Sequence, residues 1–421
     1  MTQHAEQSLA PSSGSSSRWW VGATKHQWQT FRSAYLGWML DIMDLMLFAM
    51  IITSVGKDLG FDKGAAGLVA SATLLASAFG GLVFGFLADR IGRTRSMVLS
   101  ILCYSVGTAL CGLSANVWQL MVFRVVVGLG VGGEWSAGSA LVSESWPARH
   151  RGKVLGWVQS AFASGYALAA ITAAVILPLF GWRWVFVVGL LPALLAFYIR
   201  RHMGESEIWK NQTERLTLKE SLRVLFKDHA ATTTFGMALM ITAMCGYWGL
   251  FTWIPTYLST PVADGGAGLD LVKSTTWIVI MQVGAAIGFV SFGYISDAIG
   301  RRATFVTFFV VSAVAVPLYL LIKEPLVLMA FGVVVAFFGT GFYSGFAPTF
   351  AELYPTSIRA TAQGVVYNGG RAVSAVAPAI IGFSADRFGL GSGLLLTSMF
   401  FALAALVVLL FLPKQKAIEL E

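Results

Sequence analysis

The stretch "LDIMDLML", residues 40–47, sets Asp41 and Asp44 in a run from Ala34 to Val55 that is otherwise hydrocarbon. Spaced three apart, the two carboxylates share one helix face. A charge near a bilayer centre costs at least ~2.5 kcal/mol on insertion scales, so acids kept there face a cavity, a partner or a proton path. Neighbouring carboxylates in a low dielectric resist joint ionisation and share a proton. The chemistry this spacing offers is therefore proton binding and release. Three more charges lie in apolar runs: Arg124, Glu134 and Arg371. Arg124 is the cation to pair with Asp44 in one state. Glu134 can join the acids, although "GVGGEWSAG" around it also suits plain helix packing. Arg371, in "YNGGRAVSA", keeps its charge when buried, and its planar fork suits a carboxylate. It is predicted to anchor an anionic substrate; the alternative is a purely internal ion pair with an Asp from the other half. Wall candidates are Gln159, Tyr247, Trp248, Trp253, Gln282, Tyr343, Tyr367 and Asn368, each of which also reads as packing or an interfacial aromatic.

These residues need elements that hold them at depth. The 421 residues are 56% hydrophobic and only 12% charged, far from the balance of a water-soluble domain. Twelve apolar windows, each long enough to cross a ~30 Å hydrocarbon layer as a helix, recur at about 32–55, 64–88, 96–114, 117–143, 153–178, 182–199, 231–259, 272–296, 303–322, 326–351, 361–384 and 392–412. The fold expected is an all-α membrane protein of twelve transmembrane helices. Of the 29 basic residues, 21 fall in the tails and alternate loops of one side. Six fall on the other (Lys57, Lys63, Arg183, Lys273, Lys323, Arg387), and Arg124 and Arg371 lie inside spans. The positive-inside rule then puts both termini in the cytosol of an inner, cytoplasmic membrane. The net charge of +8 follows from topology and calls for no nucleic acid. The Ser-rich start lacks the order of a cleaved signal peptide. Cys103, Cys111 and Cys245 sit in apolar spans as ordinary buried thiols, and the sequon at Asn211 falls on the cytosolic side.

Two segment pairs recur at one offset. "GFLADRIGRTRSMV" from Gly85 matches "GYISDAIGRRATFV" from Gly293, and "ESWPARHRG" from Glu144 matches "ELYPTSIRA" from Glu352, each 208 residues on (293 − 85 = 208). The chain therefore divides into a cytosolic tail (1–31), a first six-helix bundle (32–201), a linker (202–230), a second bundle (231–412) and a terminal tail (413–421). Laid on the other half, Asp41 falls on Gly249, Asp44 on Thr252, Arg124 on Gly332, Glu134 on Phe342 and Arg371 on Ala163. None is duplicated, so these charges serve something other than holding six helices together. Transporters built from repeats bind substrate near mid-bilayer between them.

"GFLADRIGR" resembles the signature loop of the major facilitator superfamily, and "RVVVGLGVGGEW" resembles its Arg and Gly-rich fourth helix. "GGEWSAGSALVSESWPARHRGKVLG", "GESEIWKN" and "ELYPTSIRATAQGVVYNGGR" are similar to its metabolite:proton symporters of the sialate and lactate type. Aromatic-acid symporters share the two-acid first helix, although their Asp-Gly-x-Asp reads Asp41-Ile42-Met43-Asp44 here. The resemblance implies two six-helix bundles that rock about a central site, with gating by Asp89, Arg90, Arg93, Asp297 and Arg301. Ala298 stands where the first copy has Arg90. Gly85, Gly92 and Gly293 with Gly300 are expected to permit close approach and tight turns, and the second repeated pair adds Glu144, Arg151, Glu352 and Arg359 to the gate.

The function expected is secondary active uptake of a small organic anion by proton symport, leaning to a monocarboxylate such as lactate, in a chain that acts as a monomer. Sialate or aromatic-acid import is the alternative; a neutral sugar porter, a drug:proton exporter and a non-transporting sensor rank below it. Arg371 argues against a sugar, and the fifth helix lacks the Gly-Pro pair of drug exporters. Neither a P-loop nor a metal-ligand cluster is legible, so no enzyme, metal or cofactor is expected beyond the proton as coupling ion. His4, His26, His150, His202 and His229 all fall in the tail or loops, which excludes an imidazole relay across the membrane.

Overall fold

A computed structural model of the chain describes residues 20–146, 148–202, 218–354 and 358–412. Among them every regular element is helical. In chain order these are α1 (Lys25–Leu59), α2 (Lys63–Ile91), α3 (Arg93–Cys111), α4 (Val117–Ser145), α5 (Ala148–Phe180) and α6, in two segments, Trp182–Val188 and Pro192–His202. After a short linker helix, Leu218–Lys227, come α7 (Ala230–Ser259), α8 (Leu271–Ile299) and α9 (Arg301–Leu321). Then follow α10 (Pro325–Gly341 and Tyr343–Leu353), α11 (Arg359–Ser374 and Ala377–Phe388) and α12 (Leu390–Phe411).

Eleven described spans are long and apolar enough to cross a membrane. The twelfth, α11, falls short because it is broken. Pro378 has no N–H for the Ser374 carbonyl and its ring crowds that turn, so the helix stops at Ser374 and restarts with Pro378 in its first turn. Pro192 opens the second segment of α6 for the same reason. The first helix starts earlier than its apolar run. Thr24 and Gln27 form a capping box, which makes residues 25–31, expected in the tail, the opening turns of α1. The linker carries one amphipathic helix, Leu218–Lys227.

The 208-residue repeat is visible in the backbone. Gly92 and Gly300 take φ of 110° and 88° between α2 and α3 and between α8 and α9. Gly60 and Gly268, then Gly181 and Gly389, are further left-handed pairs at the same offset. Asp62 and Asp270, also 208 apart, cap α2 and α8 through the same contact with the third backbone N–H. Gly80 lies against the backbone of Leu129 as Gly288 does against that of Phe337. Gly85 and Gly293 do not behave as expected: a Cβ on either meets no atom within 4 Å, so neither mediates close packing in this conformation.

The halves meet along α5 on α8 and along α2 on both segments of α11. The face where α1 starts also holds the end of α4, since Gln27 Nε2 donates to the Ser145 carbonyl at 3.1 Å; we call it the terminal face. At the far face the halves are sealed together. Gly64 N–H, in the first turn of α2, donates to Asp386 Oδ2 at 2.7 Å, Ala379 N–H donates to Ser71 Oγ at 3.1 Å, and Gly67 abuts the Pro378 backbone.

Candidate functional site

All five intramembrane charges are buried: Asp41 and Asp44 at 0%, Arg124 and Glu134 at 1%, Arg371 at 2% exposure. They sort into two groups. The first lies within the N-terminal half. Thr108 Oγ1 donates to Asp44 Oδ2 at 3.0 Å, while Arg124 donates from Nη1 to the Asp44 carbonyl at 3.3 Å and from Nη2 to the Leu45 carbonyl at 3.2 Å. Arg124 thus clamps the backbone of α1 from α4, and its charge reaches Asp44 without a direct carboxylate pair. Its guanidinium lies 5.2 Å from the Phe48 ring centroid.

The second group bridges the halves. Arg371, on the first segment of α11, is the cation whose field reaches Asp41 on α1, and Asp41 in turn acts on Glu134 of α4. Gly37, one turn before Asp41, leaves the space that Glu134 Oε1 fills. Among the described residues, none donates a hydrogen bond to either carboxylate oxygen of Asp41 or Glu134. Buried polar atoms are almost always paired, so these four acid oxygens call for a proton, a water or a ligand as partner. With one Arg against two acids this group carries −1 when fully ionised, and one proton neutralises it.

Around Arg371 the orphaned groups are donors. Tyr247 Oη, Tyr343 Oη, Trp248 Nε1 and Arg371 Nε are buried without partners. The Arg371 guanidinium stands 6.0 Å from the Trp248 ring, and Tyr343 and Tyr367 lie within reach of its charge. Phe162 of α5, which sequence reasoning passed over, is the hub: its ring sits 5.5 Å from Tyr247, 6.4 Å from Trp248, 6.0 Å from Phe289 and 6.2 Å from Tyr343, nearly parallel to the last at 25°. Nothing in its residue type or its spacing marks it out along the sequence.

The remaining expectations divide. Gln159 and Gln282 are buried, at 7% and 5%. Asn368 instead turns toward α2, where its amide fills the space beside Gly81 and donates to its own Gly364 carbonyl at 3.1 Å. Trp253 belongs to the far-face scaffold, donating to the Pro378 carbonyl at 3.0 Å. Arg301 and Glu352 form a two-point ion pair inside the C-terminal half, with Nε to Oε2 at 2.6 Å. Arg90 lies over Phe86 at 4.4 Å and Asp297 is exposed. The side chains of Asp89, Glu144, Arg151 and Arg359 lie outside the described ones.

Two pseudo-equivalent helix bundles enclosing unduplicated charges at mid-depth define a multi-pass membrane carrier rather than an enzyme. Residues 34–270 and 265–419 match the Major Facilitator Superfamily, and the chain belongs to it. It is 30% identical to the cis,cis-muconate transport protein of Acinetobacter baylyi over 93% of this chain and 95% of that one. It is likewise 30% identical to a sialic acid transporter of Escherichia coli, with the same coverage of both chains. The crystal structure of a D-xylose-proton symporter superposes with a TM-score of 0.75 at 20% identity, covering 94% of this chain and all of that one, which shows the shared fold.

Proposed function

We propose that the protein imports a small organic anion together with a proton, by alternating exposure of the site between the two bundles. The observation that carries this reading is the pairing of orphans. Three buried donors lie near Arg371, whose own Nε is also unpaired, fit together to receive a carboxylate, beside two buried acids that no described donor reaches and that are fit to hold a proton. A proton on Asp41 or Glu134 cancels the excess negative charge and lets the anion enter, which couples the two by electrostatics. Asp44 and Arg124 tie the first group to α1, the helix that carries Asp41.

The ring cluster about Phe162 favours a flat, conjugated body over that of lactate, since stacked rings reward a planar partner and a two-carbon chain leaves them unfilled. The muconate carrier among its relatives transports such a planar acid. We place both termini in the cytosol, the far face outside, and the chain in the cytoplasmic membrane as a monomer. In proteoliposomes, labelled muconate or benzoate should accumulate above the external concentration under an inward proton gradient, and that accumulation should fall to simple equilibration when a protonophore collapses the gradient. Uptake indifferent to the gradient would falsify proton coupling.

A further inference from the structure

Tyr104 is a buried titratable group that the charge pairs described above leave without a role. It lies on α3 at 0% exposure, and no described residue bonds its hydroxyl. Buried hydroxyls are almost always paired, so one without a partner needs a reason. In the second half Tyr104 falls on Ser312 (312 − 104 = 208), whose hydroxyl is spent on the Phe308 carbonyl at 2.8 Å. The phenol is therefore as unduplicated as the acids.

Its surroundings follow from the packing of α3 on α1 and α4. Thr108, one turn later on α3, donates to Asp44 Oδ2 at 3.0 Å. Met97, two turns earlier, meets α1 at Gly37, where a Cβ would collide with Glu134 Oε1 and stand 2.9 Å from the Met97 Cε. Both contacts advance the same way along the two helices, so α1 and α3 run parallel and Tyr104 stands between the contacts, at the level of Asp41. Helix α4 closes the third side. A Cβ on Gly130 would lie 2.7 Å from that of Tyr104, and one on Gly107 would lie 3.0 Å from the Val127 nitrogen, so α4 runs antiparallel to α3. Glu134, one turn beyond Gly130, lies toward the start of α3, the direction in which helical side chains lean. The phenol leans toward Asp41 and Glu134, and the charges of Asp41, Asp44 and Glu134 all act on it.

We propose that the Tyr104 hydroxyl relays the coupling proton between the two acid groups, from Asp44 to Asp41 and Glu134. The inference rests on the proton-symport reading above. A phenol hydroxyl donates one hydrogen bond and accepts two, so it takes a proton on one side while giving its own on the other. Asp44 lies nearer the far face, ~4.5 Å further along α1 than Asp41. The carboxyl O–H of Asp44 breaks as an O–H forms on the Tyr104 oxygen, the original phenol O–H breaks as one forms on ionised Asp41, and the phenol is neutral before and after. Such a transfer runs by direct contact or over one water.

The test is Tyr104→Phe in full-length protein reconstituted into proteoliposomes, with labelled benzoate and muconate. Net uptake must load and release a proton in every cycle, whereas counterflow exchanges one acid for another on a carrier that keeps its proton. The kcat of proton-driven uptake should fall at least about tenfold, with KM and counterflow each within about threefold of wild type. The final accumulation should be unchanged, because a relay sets the rate and leaves the stoichiometry alone. The variant should melt no lower in detergent, since it loses a hydroxyl that bonds no described residue. A fall of less than tenfold in kcat, a lower final accumulation, or counterflow lost together with uptake would each overturn the relay. Wild-type vesicles that accumulate neither acid would overturn the symport reading first, and the relay with it.

Discussion

Asp41→Asn should separate binding from coupling. The change removes one negative charge from a group in which Arg371 acts on Asp41 and Asp41 on Glu134, so a net −1 that a proton must cancel becomes neutral without one. Asparagine is nearly isosteric, and no described residue donates a hydrogen bond to either Asp41 oxygen, so the substitution breaks no described contact. The anion should still bind and exchange. With one proton per singly charged anion, an inward gradient of one pH unit is worth ~1.4 kcal/mol and drives about tenfold accumulation in the wild type. In Asp41→Asn that ratio should fall to about one, while counterflow, in which internal unlabelled acid exchanges for external labelled acid, proceeds within about threefold of wild type. Both are read in proteoliposomes after subtracting protein-free vesicles, which removes passive entry of the protonated acid. Asp41→Asn vesicles that accumulate the acid tenfold would refute the charge-balance reasoning. Loss of counterflow together with accumulation would place Asp41 in the binding site instead.

Three further outcomes follow from the packing. Gly80→Val should drive a side chain into the Leu129 backbone and sharply lower the yield of folded protein by size-exclusion chromatography, whereas Gly85→Val, facing open space, should leave it unchanged. Gly300→Ala places a Cβ at φ 88° and should cost ~1–2 kcal/mol, seen as a lower melting temperature in detergent with little change in the substrate site. Asp386→Asn weakens the acceptor that holds the first turn of α2. As Asp386 is exposed, the loss should be only ~0.5–1 kcal/mol, raising maleimide labelling of Thr73→Cys from the far side about two- to fivefold. Labelling no faster than in the parent would show that the seal is held elsewhere.

The architecture was legible because membrane insertion writes it in long apolar runs and because duplication left matched loops. Gly92 and Gly300, with their neighbouring Arg residues, could be paired by eye. Gly60 with Gly268 and Gly181 with Gly389 could not, since what they share is a backbone angle that leaves little trace beyond the glycine itself. The buried charges stood out for the same energetic reason that makes them costly. How they divide was half legible: a pairing of Arg371 with an Asp of the other half was the alternative reading, and Arg371 does act on Asp41, whereas Arg124 bonds carbonyls rather than the Asp44 carboxylate. Both depend on helix rotation, which spacing along one strand of sequence does not fix. Phe162 was invisible for a different cause. One Phe among 30 carries no mark of being the hub until α5 and α8 are packed together.

The account stands or falls on whether Arg371 anchors a carboxylate that moves with a proton. The direct measurement is uptake of labelled benzoate, muconate, lactate, sialate and a neutral sugar into proteoliposomes under an imposed inward proton gradient, in wild type and Arg371→Gln. One organic acid, planar by this account, should accumulate in wild type. Its kcat/KM should drop by about a hundredfold in Arg371→Gln, the loss expected when a buried charge-assisted contact of ~3 kcal/mol is removed. Accumulation of the sugar alone, or normal uptake of an acid by Arg371→Gln, would contradict it.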